Sequence, residues 1–343
     1  MIYKKILFIL ICVFLSVLIC SCNKTYEIAL ITNTNGINDA YSQSAFLGIK
    51  SYTDANKKSC KYYIPLENTA EAVSAAIEQA ILNKAEIIVV TNNLFEEAEK
   101  YNNIKFILID SDEIPIKNTT VVGFPEHEAG FLAGYAAVKD GYRSLGFIGA
   151  MPVPAVVRYG YGFIQGAEYA ACEMSLKKDS VNILYHYTGS FNGDSETEIL
   201  SNEWYKNGAE VIFTCGGTVG NSVMQAAETY NKFVIGADVD QSGVSDSVIS
   251  SAVKKIEEAV YDALNDYYNG VSGDKLTGNT GLSTETSKWN IFTQEDYDGI
   301  YEKLKTGKIE IWGDTRGGED VTVDMLPVSA ISIIISQSEN KVH

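Results

Sequence analysis

The sequence predicts an α/β protein built as two doubly wound parallel-sheet lobes joined by a hinge. Short apolar strands alternate with amphipathic helical stretches, the series runs through once and then restarts, and the strands are continuously apolar. Alternation of strands with helices of about 10–15 residues implies βαβ units and parallel sheets. Continuous apolar strands imply sheets covered on both faces. The chain has 343 residues, enough for two such domains.

Each element follows in order. Residues 26–32 read as the first strand. Residues 40–52 have helical spacing, with Ala45, Ile49 and Tyr52 on one side. Residues 59–65 form a second strand, and 69–83 a helix capped by Asn68 or Thr69. The runs 85–91 and 104–110 are buried strands, followed by 120–124 and a helix over 126–139. The pattern then restarts with strand 145–149, helix 155–172, strand 181–187 and helix 195–207. Strand 211–214, helix 219–230, and strands 233–237 and 248–252 continue it. The tail 328–336 is too short to span a membrane and is expected to add a strand. Crossings between lobes are placed at 123–127, near 240–245 and near 285–292. The lobes are then 26–124 plus 242–287, and 125–241 plus 288–343. Multiple crossings of this kind make a hinge.

Residues 1–22 stand apart. Lys4 and Lys5 precede an apolar run over residues 6–20. At the helical rise that run covers roughly 22 Å, against about 30 Å for a bilayer core, so it fits a signal-peptide core better than a span. It ends in Leu18-Ile19-Cys20-Ser21-Cys22, which resembles a bacterial lipobox with Cys22 as the lipidated residue. The expected location is the extracytoplasmic face of the cell membrane, anchored through lipid. The remaining cysteines, Cys60, Cys172 and Cys215, are too scattered for a disulfide framework. With three histidines and no clustered Cys/His spacing, neither a metal nor a cofactor is expected. The net charge of −17 becomes two units more negative once Lys4 and Lys5 are removed. That field repels nucleic acid and anionic lipid surfaces.

In open parallel sheets, ligands bind beyond the carboxyl ends of the strands. The first lobe places Asn33 to Tyr41, Thr91 to Asn93, and Asp110 to Asp112 there. The second places Gly189 to Asn192, Cys215 to Thr218, and Ala237 to Gln241 there. Carboxylates suit hydroxyl groups, and rings suit stacking. Each candidate also has a plainer reading. Asp39 is a helix N-cap or a ligand contact. Asp110 and Asp238 cap a following turn or bind. Asp240 reads first as a turn former. Tyr41 and Phe191 are core rings or stacking rings. Gly216-Gly217 is a tight turn or a surface that ligand approaches closely. Lys254 is a solvated lysine or a contact, and His127 and His186 are assigned to structure. No nucleophile elbow, Walker A loop or dinucleotide fingerprint occurs. The protein is read as a non-enzyme; a nucleoside hydrolase, which would use clustered aspartates and a calcium ion, is the remote alternative, because Asp39, Asp110 and Asp238 fall on separate strands of two lobes, which suits hydroxyl recognition better.

Several stretches then resemble one family in order. They are Gly36-Ile37-Asn38-Asp39 with Tyr41 to Ala45, Phe124 to Ala137, Gly146 to Gly149 with Gly162 to Ala167, and Thr188 to Phe191. Gly216 to Thr218, Ile235 to Gln241 and Ser251 to Lys255 complete the series. Together they are similar to the basic membrane protein family of purine nucleoside receptor-like lipoproteins. The resemblance implies a type I periplasmic-binding-protein fold serving an ABC importer, with its permease and ATPase subunits as partners. It implies a purine nucleoside held between closing lobes. Asp39, Asp110, Asp238 and Lys254 would contact ribose hydroxyls or the base, with Asn38 beside them. Phe191 and Tyr41 would stack, and Gly216 and Gly217 would line the pocket. The chain departs from the family at Tyr41-Ser42, where Phe-Asn is usual, and at Gly149-Ala150. A ligand sensor of the same fold is the alternative.

Overall fold

A computed structural model describes residues 25–91, 95–271 and 273–336. Cys22, Asn92 and Asn93 lie outside the described residues. The described residues divide into two units, one running up to residue 121 and including 263–274, the other covering 122–262 and the residues from 275 on.

The first unit carries β1 (Ile28–Ile31), α1 (Ala40–Asn56), β2 (Cys60–Tyr63), α2 (Ala70–Leu82), β3 (Ile87–Val90), α3 (Phe95–Ala98), β4 (Lys105–Ile109) and the start of β5 (Thr119–Gly123). β1 pairs in parallel with both β2 and β3, so Ile28 lies opposite Cys60 and Ile87. β4 joins β3, also in parallel. All of β1 and β3 is buried, as continuous apolar strands demand. Ala45, Ile49 and Tyr52 form the buried stripe of α1, and Val73, Ile77 and Ala80 that of α2. Thr69, rather than Asn68, caps α2 by accepting from the Ala72 amide at 3.3 Å.

The second unit carries α4 (Glu126–Lys139), β6 (Ser144–Gly149), α5 (Pro154–Glu173), β7 (Asn182–Tyr187), α6 (Ser195–Lys206), β8 (Val211–Cys215), α7 (Val219–Tyr230), β9 (Phe233–Asp238) and β10 (Val248–Lys254). Next come α8 (Ile256–Tyr268), β11 (Lys275–Thr277), β12 (Thr280–Leu282), α9 (Gln294–Lys305), the hairpin β13 (Thr315–Arg316) and β14 (Glu319–Asp320), and β15 (Ser332–Ile335). The seven-stranded sheet runs β12-β10-β9-β8-β6-β7-β15. β6 to β10 are parallel and β12 is antiparallel to β10. The tail strand β15 pairs in parallel with β7. Glu168 pins the segment leading into it, accepting from the backbone of Ser329, Ala330 and Ile331 at 2.9–3.1 Å.

α4 and α5 touch backbone to backbone. A Cβ at Gly134 would lie 2.0 Å from the Phe163 carbonyl oxygen, and one at Gly166 1.9 Å from that of Phe131. Only glycine permits this approach, and it seats the first turn of α4 against α5.

The lobe boundaries differ from the expected ones. The sequence assigns 242–287 to the first lobe. In the structure β10 pairs with β9, Val248 opposite Val234 and Ala252 opposite Ala237, and β12 pairs with β10. Residues 242–262 therefore complete the second sheet, and the return falls inside α8, at 262/263. The third crossing falls between β11, which joins the first sheet beside β5, and β12, which joins the second, not near 285–292. An apolar strand does not say which of two sheets it will join, because both offer the same kind of edge.

Candidate functional site

Within each unit the parallel strands bring the expected residues to one edge. In the first unit, the chain leaving β1 makes a short 3₁₀ turn over Gly36–Asn38 and enters α1 at Asp39. Asp39 is the N-cap. Its Oδ2 accepts from the Ser42 amide at 2.9 Å and from Asn33 Nδ2 at 3.0 Å. The capping reading is thus observed, and both of these bonds use one carboxylate oxygen. Asn38 is exposed and Tyr41, in the first turn of α1, is half-buried. Asp110 follows β4 with φ of 63°.

In the second unit, Asp238 closes β9 with φ of 68°, the same left-handed conformation as Asp110. That region is costly for most side chains, and aspartate is among the few that tolerate it. Both aspartates therefore turn the chain sharply just as it leaves the sheet. Asp240 makes the expected turn, its Oδ1 accepting from the Ser242 amide at 2.9 Å.

Phe191 lies in the loop after β7 and is 41% exposed, unusual for a ring that size. Gly216 and Gly217 hold it there. A Cβ at Gly216 would meet the Phe191 ring at 3.3 Å and the Ala150 Cβ at 2.4 Å. One at Gly217, where φ is 57°, would lie 2.2 Å from the Phe191 carbonyl oxygen. The Thr218 amide donates to that same oxygen at 2.9 Å. The glycine pair thus lets two loops pack together, with the ring left partly exposed.

Lys254 ends β10 but does not reach the rim itself. Its side chain is 2% exposed, with its ammonium 3.1 Å from Asp238 Oδ1 and 3.2 Å from Glu126 Oε1. The rings of Phe124 and Tyr159 lie beside it, with centroids 5.7 and 5.6 Å away. The Tyr159 hydroxyl lies 3.3 Å from both Asp238 Oδ1 and the Ala252 carbonyl oxygen and shares its one proton between them. Burial, and then the Asp238 carboxylate, push the Tyr159 phenol well above its usual range, so it stays a donor. Behind Glu126 sits Arg158, whose Nε is 2.6 Å from Glu126 Oε2, and beyond that Asp314 at 3.6 Å. The structure places Lys254 beside Asp238, between that carboxylate and Glu126. Glu126, Arg158, Tyr159 and Asp314 went unrecognised. The available signal was a lysine ending an apolar strand, which needs counter-charges that sequence does not locate.

His127 is half-buried beside this group. Burial, helped by the Arg158 guanidinium, lowers its pKa to about 4, so it is neutral at physiological pH. His186 Nδ1 bonds to the Ser336 carbonyl oxygen at 2.8 Å. Among the described residues no group of three or more His, Cys, Asp or Glu could hold a metal ion.

Comparison with known proteins now bears on this arrangement. Residues 27–282 match the family model described as ABC transporter substrate-binding protein PnrA-like, also called Bmp. The chain belongs to this family. It is 28% identical over 261 residues to the ABC transporter nucleoside-binding protein BmpA of Lactococcus lactis subsp. cremoris (strain MG1363), covering 68% of this chain and 72% of that one. It is 25% identical over 335 residues to an uncharacterised lipoprotein of Pyrococcus abyssi (strain GE5 / Orsay), covering 92% of this chain and 78% of that one. Among solved structures, an ABC transporter system solute-binding protein from Aeropyrum pernix K1 superposes with a TM-score of 0.67 at 18% identity, covering 84% of this chain and 94% of that one. At that identity the likeness shows the fold alone, the type I periplasmic binding fold. The PnrA-like family is one of substrate-binding proteins of ABC transporters rather than of enzymes. The family match ends at residue 282, so Asp314 and the Glu168-pinned tail lie outside it.

Proposed function

We propose that the chain captures a nucleoside, with a purine as the preferred base, and delivers it to the permease and ATPase of an ABC importer. One observation carries the reading. The rim of the second unit presents a partly exposed aromatic ring, Phe191, together with an aspartate, Asp238, whose ion pair and hydrogen bond both fall on Oδ1. A ring that any base can stack on and a carboxylate that accepts from ribose hydroxyls are what a nucleoside needs. Asn38, Asp39, Tyr41 and Asp110 on the first rim supply the same chemistry. The relative from Lactococcus lactis, named as nucleoside-binding, supports the ligand class. The lipobox-like end at Cys22, with the lipoprotein from Pyrococcus abyssi, supports a lipid anchor on the extracytoplasmic face. Among the described residues no helix is long and apolar enough to cross a membrane.

The test is a thermal-shift panel of purine and pyrimidine nucleosides and free sugars, followed by calorimetry. Inosine or guanosine is expected to raise the melting temperature. Asp238→Ala is expected to weaken binding by at least about 1 kcal/mol, the scale of one lost buried hydrogen bond. A panel in which only sugars stabilise the protein overturns the nucleoside assignment. Mass spectrometry of membrane-extracted protein tests the anchor, and an unmodified N-terminus at Met1 overturns it.

A further inference from the structure

Five charged side chains of the second unit form a row of alternating sign: Asp238, Lys254, Glu126, Arg158 and Asp314. Only Asp238 stands at the strand edge, with a side chain 31% exposed, while those of Lys254 and Glu126 are buried to 2% and 1%. Glu126 divides its carboxylate between two cations. Oε1 faces Lys254 at 3.2 Å and Oε2 takes Arg158 at 2.6 Å. The first turn of α4 holds it in place, against α5 and through the glycine contact of those helices. Lys254 is thus drawn from behind by Glu126 and from in front by Asp238.

We propose that Glu126 is a positioning residue for the ligand site, acting on Asp238 through Lys254. This rests on the solute-binding reading above and deepens it. An ammonium held by two carboxylates binds each less completely than it would bind one. The pull of Glu126 loosens the hold of Lys254 on Asp238 and leaves the carboxylate of Asp238 able to accept a ligand hydroxyl. When Glu126 loses its charge, Lys254 is released onto Asp238 and competes with the ligand for it.

The experiment is a double-mutant cycle on the full mature protein, with inosine as the probe and calorimetry as the readout. Glu126→Gln, which keeps the shape, is expected to weaken inosine binding about tenfold, the scale for a charge-assisted hydrogen bond. In an Asp238→Asn background the same change is expected to cost less than about twofold, because its target is gone. A merely structural Glu126 would lower affinity by the same factor in both backgrounds, and that result overturns the proposal. So does a Glu126→Gln affinity within twofold of wild type. A crystal structure of the wild type with inosine gives a second reading that needs no variant. Lys254 is expected to stay bridged between Glu126 and Asp238, and a lysine that has left Glu126 to bond the nucleoside overturns the assignment. If the wild type binds no nucleoside at all, the functional reading fails first and takes this one with it.

Discussion

Asp39 and Asp238 occupy comparable places, one on the rim of each unit, yet they are held by opposite kinds of partner. Asp39 is fixed by two neutral donors, the Ser42 amide and the Asn33 side chain, both within a few residues in sequence. Asp238 is fixed by a buried ammonium and a buried phenol from β10 and α5. In each case the bonds gather on a single carboxylate oxygen. A local, neutral clamp costs little to build and little to lose. A clamp of buried charge must be balanced by further buried charge, which here extends through Glu126 and Arg158 to Asp314.

The largest consequence concerns stability. Lys254→Met removes the cation shared by Asp238 and Glu126 and leaves both carboxylates without it, Glu126 in a buried position. Breaking a buried ion pair from one side is expected to cost about 3–5 kcal/mol. Asp39→Ala, which removes only a helix cap, is expected to cost about 1 kcal/mol. Denaturation followed by tryptophan emission measures the first, because Trp204, Trp289 and Trp312 all belong to the second unit. Backbone circular dichroism measures the second. Equal losses for the two variants would dissolve the contrast between the rims.

That contrast also decides what was legible in the sequence. Asp39 could be weighed as a cap because capping is a local pattern, an aspartate directly before helical spacing. The strands and their carboxyl edges were legible for the same reason, and the tail strand β15 with them. Glu126 lies in a stretch that carries the family resemblance, but nothing local distinguishes it from Glu128, two residues on. Its role depends on β10 joining the second sheet rather than the first, and on α4 and α5 meeting at glycines. Both are choices of tertiary pairing. The misplaced boundary at 242 and the overlooked row of charges therefore share one cause. Reading β10 into the first lobe put Lys254 in a different unit from Glu126 and hid the pair.

The rims should also part company in acid, by a smaller amount. His127 has a pKa of about 4 in the folded protein, against about 6.5 when unfolded. Its folded value is depressed, so between these values the unfolded state binds more protons and stability falls as pH falls. The stabilisation is complete above pH 6.5 and is lost on the way down to about 4. Over that window the second unit is expected to lose on the order of 1–3 kcal/mol, read by tryptophan emission. His127→Gln is expected to flatten the profile above pH 4.5. The first unit contains no histidine, and Glu27, held down by its hydrogen bond to Lys58, releases its contribution only at lower pH. A wild-type profile that stays level from pH 6.5 to 4.5 would show that His127 is not held neutral by its surroundings.

The smallest change separates the two roles of Asp39. Asparagine caps a helix about as well as aspartate does, because a side-chain oxygen still accepts from the amide of the residue three on. What Asp39→Asn removes is the charge, worth a few tenths of a kcal/mol to the start of α1 through the helix dipole. The melting temperature should therefore barely move. Nucleoside affinity should move if the carboxylate reads a hydroxyl, since a ligand donor then faces a neutral amide that is a weaker acceptor and presents an N–H on one side. A loss of about fivefold or more in affinity with stability kept would make Asp39 the counterpart of Asp238, differing only in how it is held. Unchanged affinity would leave it a cap and nothing more, and would place hydroxyl recognition on the charged clamp of the second unit.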